Sequence, residues 1–188
     1  MVVVEKVVEN NKQRVIDSLR SDVIRHVFAF YDIQHEPQHT TMYAAFENGN
    51  LKGYVLIYAA LDFPSVDLEC EKDIAEKLIE YAPENYVMHV PQNLLPIIKG
   101  KFPSAKHYVE DWMLVKKRQA NFFKSEHVQR LCSEDEASRL AILLSSREDR
   151  PKRTRTYVDW ISKMPMYGVS INSRLVSYAG SFLQLPQV

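Results

Sequence analysis

HVQRLCSEDEASRLAILL, residues His127–Leu144, sets the class of fold. His127–Leu131 reads as a short strand. Ser133, with Glu136 three positions on, has the form of a capping box, in which hydroxyl and carboxylate satisfy backbone donors at a helix start. Ala137, Leu140, Ala141 and Leu144 then recur at helical spacing and supply one buried face. Downstream, a charged loop over Ser146–Arg153 leads to a second helix in which Tyr157, Val158, Ile161 and Met164 share a face. MYGVSINSRLVSYAGSFLQL, Met166–Leu185, follows as a hairpin: a strand to Ile171, an Asn172-Ser173 turn, and a longer strand from Arg174.

Upstream, a comparable order is expected. Val15, Ile16, Leu19, Val23 and Val27 place one helix or two short ones between Asn11 and Tyr31, and Asp32–His39 reads as a loop. Met42–Glu47 and Leu51–Ala60 flank Asn48-Gly49-Asn50 as a hairpin, and Val66–Cys70 is a third strand. A helix over Lys72–Tyr81 and a strand over Tyr86–Val90 come next. Asn93 is expected to cap a short helix, with Pro96 in its first turn and Gly100 at its end. A strand over Tyr108–Lys117 and a polar connection through Lys124 close this half. The fold expected is α/β with mixed, largely antiparallel sheets. Tyr43–Ala60 answering Tyr167–Leu183 suggests an internal repeat.

Composition limits the function. The chain has 188 residues, 46% hydrophobic and 26% charged, with 24 basic and 24 acidic residues. That length supports a sizeable core without metal or disulfide, and zero net charge removes the field that nucleic acid or an anionic membrane needs. No run approaches the ~18 apolar residues of a spanning helix, no leader precedes the first structured segment, and a cytoplasmic location is expected. Cys70 and Cys132 are expected to be free buried thiols.

Familiar motifs fail on physical grounds. His35-Glu36-Pro37-Gln38-His39 has the letters of a zinc-protease helix, yet Pro37 breaks the helix that would put both imidazoles on one face, so no metal is expected. Gly49, Gly53, Gly100, Gly168 and Gly180 have no phosphate-loop spacing, and Gly168-Val169-Ser170 lacks the second glycine of a nucleophile elbow. Glu134 and Asp135 beside Cys132 disfavour a thiolate. Arg147, Arg150, Lys152, Arg153 and Arg155 form the densest basic stretch, interrupted by Glu148 and Asp149. Tyr157, Trp160, Tyr167 and Tyr178 cluster around the second helix and hairpin. Tyr157, Trp160 and Tyr178 are the candidate substrate-lining residues.

From His127 onward the chain resembles the front half of the GNAT acetyltransferase superfamily, on Arg130, Leu131, Glu134, Asp135, Leu175, Val176, Ala179 and Gly180. The resemblance covers about Phe123–Val188. It implies that the next strand leads to a loop of the type Arg/Gln-x-x-Gly-x-Gly/Ala, whose amides hold the pyrophosphate of acetyl-CoA. That loop is expected to lie past Val188. The earlier half also looks like the back half of the same fold, but has no glycine loop between Cys70 and Lys72.

The arrangement is similar to tandem proteins of the glycine N-acyltransferase type. A degenerate GNAT-like domain would span 1–120 and the first half of a second 121–188. The resemblance implies an N-acetyltransferase acting from acetyl-CoA on a small-molecule or peptide amine. The alternative is a non-catalytic α/β binding or scaffolding module. The resemblance assigns no catalytic residue, and the strand edge at Val176–Leu185 is expected to pair with another strand, from a second copy of the chain as a homodimer, from the N-terminal half, or from a downstream segment.

Overall fold

A computed structural model describes residues 1–61, 63–110, 125–145 and 154–181. The chain divides into unit 1, Met1–Val109, and unit 2, Glu110–Pro186.

Unit 1 runs β1 (Val3–Lys6), α1 (Glu9–Leu19), a 3-10 turn (Arg20–Asp22), α2 (Val27–His35), β2 (Thr40–Glu47), β3 (Asn50–Tyr58) and β4 (Ser65–Cys70). After a second 3-10 turn come α3 (Ala75–Ile79) and β5 (Val87–His89), and after a third comes α4 (Leu95–Lys101). The sheet order is β1-β2-β3-β4-β5. Every pairing is antiparallel except β4 with β5, which is parallel over Ser65–Asp67.

Side-chain alternation splits this sheet into two faces. Ala45, Val55, Val66, Leu68 and Cys70 pack with Ala75, Leu78 and Ile98 from α3 and α4. Met42, Ala44, Tyr54, Leu56, Asp67 and Glu69 share the other face by register. Arg14 of α1 reaches that face at Phe46, and His26, which precedes α2, reaches it at Tyr54.

Unit 2 runs β6 (Val128–Arg130), α5 (Glu134–Ser145), α6 (Thr154–Lys163), β7 (Met166–Ile171) and β8 (Arg174–Gly180), in an antiparallel sheet ordered β6-β7-β8. The expected capping box forms: Glu136 Oε2 accepts from the Ser133 amide at 2.8 Å and from its hydroxyl at 2.9 Å, and the Glu136 amide donates to Ser133 Oγ at 3.3 Å. Leu131, Leu140, Leu144, Tyr157, Ile161, Met166 and Leu175 form the core.

Several expectations are corrected. The stretch Asn11–Tyr31 holds parts of two helices, and α2 continues to His35 through residues expected as loop, because Ile33 is buried on it. Pro37 then disfavours further helix. Asn93 lies inside the 3-10 turn Gln92–Leu94, and Gly100 lies within α4 rather than at its end. Tyr108–Glu110 forms no strand. Tyr108 and Val109 are 70% and 75% exposed, so neither has a buried face to hold one. The remainder of that expected strand, the loop Ser146–Arg153 with its basic residues, and residues 182–185 lie outside the described residues. Cys70 is buried as expected, whereas Cys132 is exposed, one residue ahead of the α5 cap.

The hairpins of the two units match position by position. Asn48 and Asn172 open the turns at φ 50° and 49°, followed by Gly49 and Ser173, also at positive φ. Phe46 pairs with Leu51 and Ala45 with Gly53, leaving Lys52 as a bulge. Ser170 pairs with Leu175 and Val169 with Ser177, leaving Val176 as the same bulge. Entry strands agree too: the Val7 amide donates to Met42 O and the Leu131 amide to Met166 O, each at 2.8 Å.

Candidate functional site

In unit 1 the face toward α1 and α2 carries a polar cluster at β3 and β4. Val66, Leu68 and Cys70 are buried on the opposite face, so strand alternation forces Asp67 and Glu69 inward beneath the helices. Tyr54 is 3% exposed, and its hydroxyl lies 3.0 Å from His26 Nδ1 with the two rings edge-on. Arg25 binds Glu69 through a guanidinium-to-carboxylate hydrogen bond, which raises the Arg25 pKa further. Burial lowers the His26 pKa, so the ring is neutral at pH 7.

Two carboxyls stand apart from ordinary aspartates. Burial pushes Asp67 up to about 7. Asp32, on α2 and 8% exposed, is also raised to about 7, by burial first and then by the charges of Asp67 and Glu36. Both therefore stand well above the ordinary aspartate range. Tyr54 is raised by burial and by Asp67 and Glu69, which keeps it protonated as a hydrogen-bond donor.

The turn from β4 into α3 is the place where the sequence resemblance puts the pyrophosphate of acetyl-CoA, and its residues do not fit that group. Glu69, Glu71 and Asp73 surround it, and burial together with these three charges raises Cys70 to about 12. The Lys52 ammonium is bound to Glu71 at 2.9 Å. The helix behind the turn is only a 3-10 turn and five α-helical residues. A dianionic pyrophosphate is repelled here rather than cradled.

The three residues expected from sequence to line a substrate site all belong to or pack against the core of unit 2. Tyr157 and Trp160 meet edge-to-face with centroids 5.2 Å apart, and Trp160 and Tyr178 pack against the core that includes Tyr157. Tyr157 is 7% exposed, so its ring is core first. Tyr167 stands away from them, 43% exposed.

Sequence reasoning missed Tyr54, Asp67 and Asp32. The signal for Tyr54 was present: it follows Asn48 by the spacing at which Tyr178 follows Asn172, and the register confirms the match. The signal for Asp67 was the alternation of VDLEC, which buries an acid if helices cover both faces. His35 and His39 take separate places, His35 against Tyr31 at 4.8 Å and His39 edge-on to Tyr58 at 6.2 Å. Among the described residues no group of three or more metal-ligating side chains occurs, and no helix is long and apolar enough to cross a membrane.

No family model matches the chain, and no curated protein does. The chain is similar in structure to solved proteins. One is a ribosomal-protein-alanine N-acetyltransferase from Brucella melitensis biovar Abortus 2308, 17% identical with TM-score 0.41, covering 61% of this chain and 99% of that one. Another is a predicted acetyltransferase with acetyl-CoA from Clostridium acetobutylicum, 11% identical with TM-score 0.40, covering 65% and 100%. A third is an aminoglycoside acetyltransferase from an uncultured soil metagenomic sample in complex with sisomicin, 15% identical with TM-score 0.37, covering 62% and 97%.

Proposed function

We propose that the protein is an N-acyltransferase of the GNAT type, carrying an acetyl group from acetyl-CoA to an amine. Unit 1 is the degenerate copy and unit 2 the acceptor-side half of the working one. The observation that supports this reading is the recurrence of strand, two helices and bulged hairpin in both units, with identical register. In unit 1 the same order continues through β4, α3 and a parallel β5, as the resemblance implies.

In this reading Tyr157, Trp160 and Tyr178 line the acceptor side of unit 2, and the amine is a small molecule or peptide. Asp67 and Asp32 are a relic of the proton-accepting site in unit 1, left without a donor because the acidic β4–α3 turn rejects the pyrophosphate. That turn also favours a second reading for unit 1, a non-catalytic binding or scaffolding module derived from the fold. The location proposed is the cytoplasm, and pairing of β8 with a strand of a second copy is the proposed route to a homodimer.

Release of coenzyme A thiol from acetyl-CoA, measured against a panel of primary amines and lysine peptides, is the test. Turnover with at least a tenfold drop on Trp160→Ala or Tyr178→Phe, and less than twofold on Asp67→Asn, is the expected result. Loss on Asp67→Asn alone would make unit 1 the working copy. No release with any amine would leave the module reading.

A further inference from the structure

The two units differ at one matched position, where a ring in unit 1 is answered by an open pocket in unit 2. In unit 1, Arg14 is the sixth residue after the α1 N-cap, Val8, and its guanidinium carbon sits 3.5 Å over the Phe46 ring. Phe46 is two positions before the turn Asn and 3% exposed, so the ring fills the space between α1 and the hairpin. In unit 2, Arg139 is the sixth residue after Ser133, which caps α5, and the position of Phe46 is held by Ser170.

A cavity of about 260 Å³ lies there, lined by Leu131, Gly168, Leu175, Ser170, Glu136 and Arg139 among others. The pocket is open on one side, where Gln129, Arg139, Ser170 and Ser173 are exposed, and its volume exceeds the roughly 150 Å³ that accepts benzene in an engineered cavity, so one substituted ring can enter. Leu131 and Leu175 close over Gly168 as an apolar floor: a Cβ on Gly168 would stand 2.5 Å from Leu175 Cδ1 and 3.0 Å from Leu131 Cδ2. Glu136 is turned to the helix start, its Oε2 accepting from the Cys132 amide, the Ser133 amide and the Ser133 hydroxyl, and it makes no ion pair with Arg139. Arg139 forms no ion pair with any described residue.

We propose that this cavity binds a small arylacetate, of the size of phenylacetate, whose methylene carries the carboxylate out of the plane of the ring. The ring takes the place that Phe46 fills in unit 1, and its carboxylate meets Arg139. The guanidinium supplies a cation–π contact to the ring and charge-assisted hydrogen bonds to the carboxylate. This site is separate from the acyl-transfer reading and stands or falls without it.

Titration of the full chain with phenylacetate, followed by amide chemical shifts, tests the proposal. Saturable shifts centred on Gly168, Ser170 and Leu131, with a dissociation constant near ~1 mM, are expected for a ligand of this size. Cyclohexylacetate, equal in charge but not planar, should bind at least roughly fivefold more weakly, because it lacks the cation–π contact. Arg139→Gln should weaken phenylacetate by a similar factor. Ser170→Phe should abolish binding and raise the melting temperature by filling the cavity from within. Absence of saturation by 20 mM, equal affinity for the two acids, or unaltered binding in Arg139→Gln would each overturn the assignment; the last stands even if Ser170→Phe fails to fold.

Discussion

Hairpin β2–β3 and hairpin β7–β8 share a turn, a bulge and a register, yet one is buried on both faces and the other is not. In unit 1, Val4 and Tyr43 are packed against the α3–α4 core, Tyr43 stacking on Tyr81 with centroids 4.3 Å apart. Their counterparts in unit 2, Val128 and Tyr167, are 42% and 43% exposed, and Ile171 is 58% exposed. The backbone frame follows from turn chemistry and alternation, whereas closure of each face depends on what the neighbouring elements bring. Predictions that exploit this contrast are best read unit by unit, from amide exchange on β3 and on β7.

The largest difference is expected at Gly53. A Cβ there would lie 2.1 Å from Cys70 Cβ and 2.5 Å from its Cα, so Gly53→Val must part β3 from β4 and should cost unit 1 about 3 kcal/mol or more. The matched position in unit 2 already holds Ser177, and Ser177→Gly should change little. Comparable protection of β3 in Gly53→Val and wild type would show that the β3–β4 register is wrong.

Phe46→Ser should come next, at roughly 3–5 kcal/mol in unit 1, since it removes a buried ring and copies the unit 2 cavity beneath Arg14. Urea unfolding with no loss of unit 1 stability would break the correspondence between the two arginines.

Asp67 gives unit 1 a pH dependence opposite in sign to that of Glu136 in unit 2, whose pKa is lowered by hydrogen bonds at the α5 cap. Its folded-state pKa lies near 7, above the unfolded value near ~4, so the folded protein holds more protons between those limits. Stability therefore falls as pH rises from ~4 to ~7. Asp67→Asn should be more stable than wild type by roughly 1–3 kcal/mol at pH 8, with the gap closing toward pH 4. A constant gap across that range would mean that Asp67 is solvated.

The start of α5 should lose about 1 kcal/mol in Ser133→Ala, by urea unfolding of unit 2. Smallest of all is Val176→Lys. The bulge residue is 42% exposed and its unit 1 counterpart is already Lys52, so stability should stay within about 0.5 kcal/mol. A drop beyond ~2 kcal/mol would show that Val176 is covered by another surface in solution.

Much of the frame was legible in sequence because its signals are local. Asn48-Gly49 and Asn172-Ser173 set positive φ, and Ser133 with Glu136 fixes a helix start through bonds four residues or fewer apart. Tyr157 and Trp160 lie three residues apart on one helix, which is why their meeting is local, whereas Tyr178 joins the same core from β8. Boundaries read from single residues fared worse: Asn93 has a capping side chain, yet the 3-10 turn already encloses it, and α2 passes Asp32 because Ile33 gains burial.

The sequence by itself determined the alternation of strands and helices, both turns and the repeated Asn-to-Tyr spacing, all of which depend on backbone preference and periodicity within a few residues. Tertiary structure alone decided that Asp32 and Asp67 share one face and titrate near neutrality, that acidic charge surrounds the β4–α3 turn, and that a ring under Arg14 answers an open cavity under Arg139. Those properties arise from burial and from charges brought together across strand register, and neither quantity exists until distant segments pack.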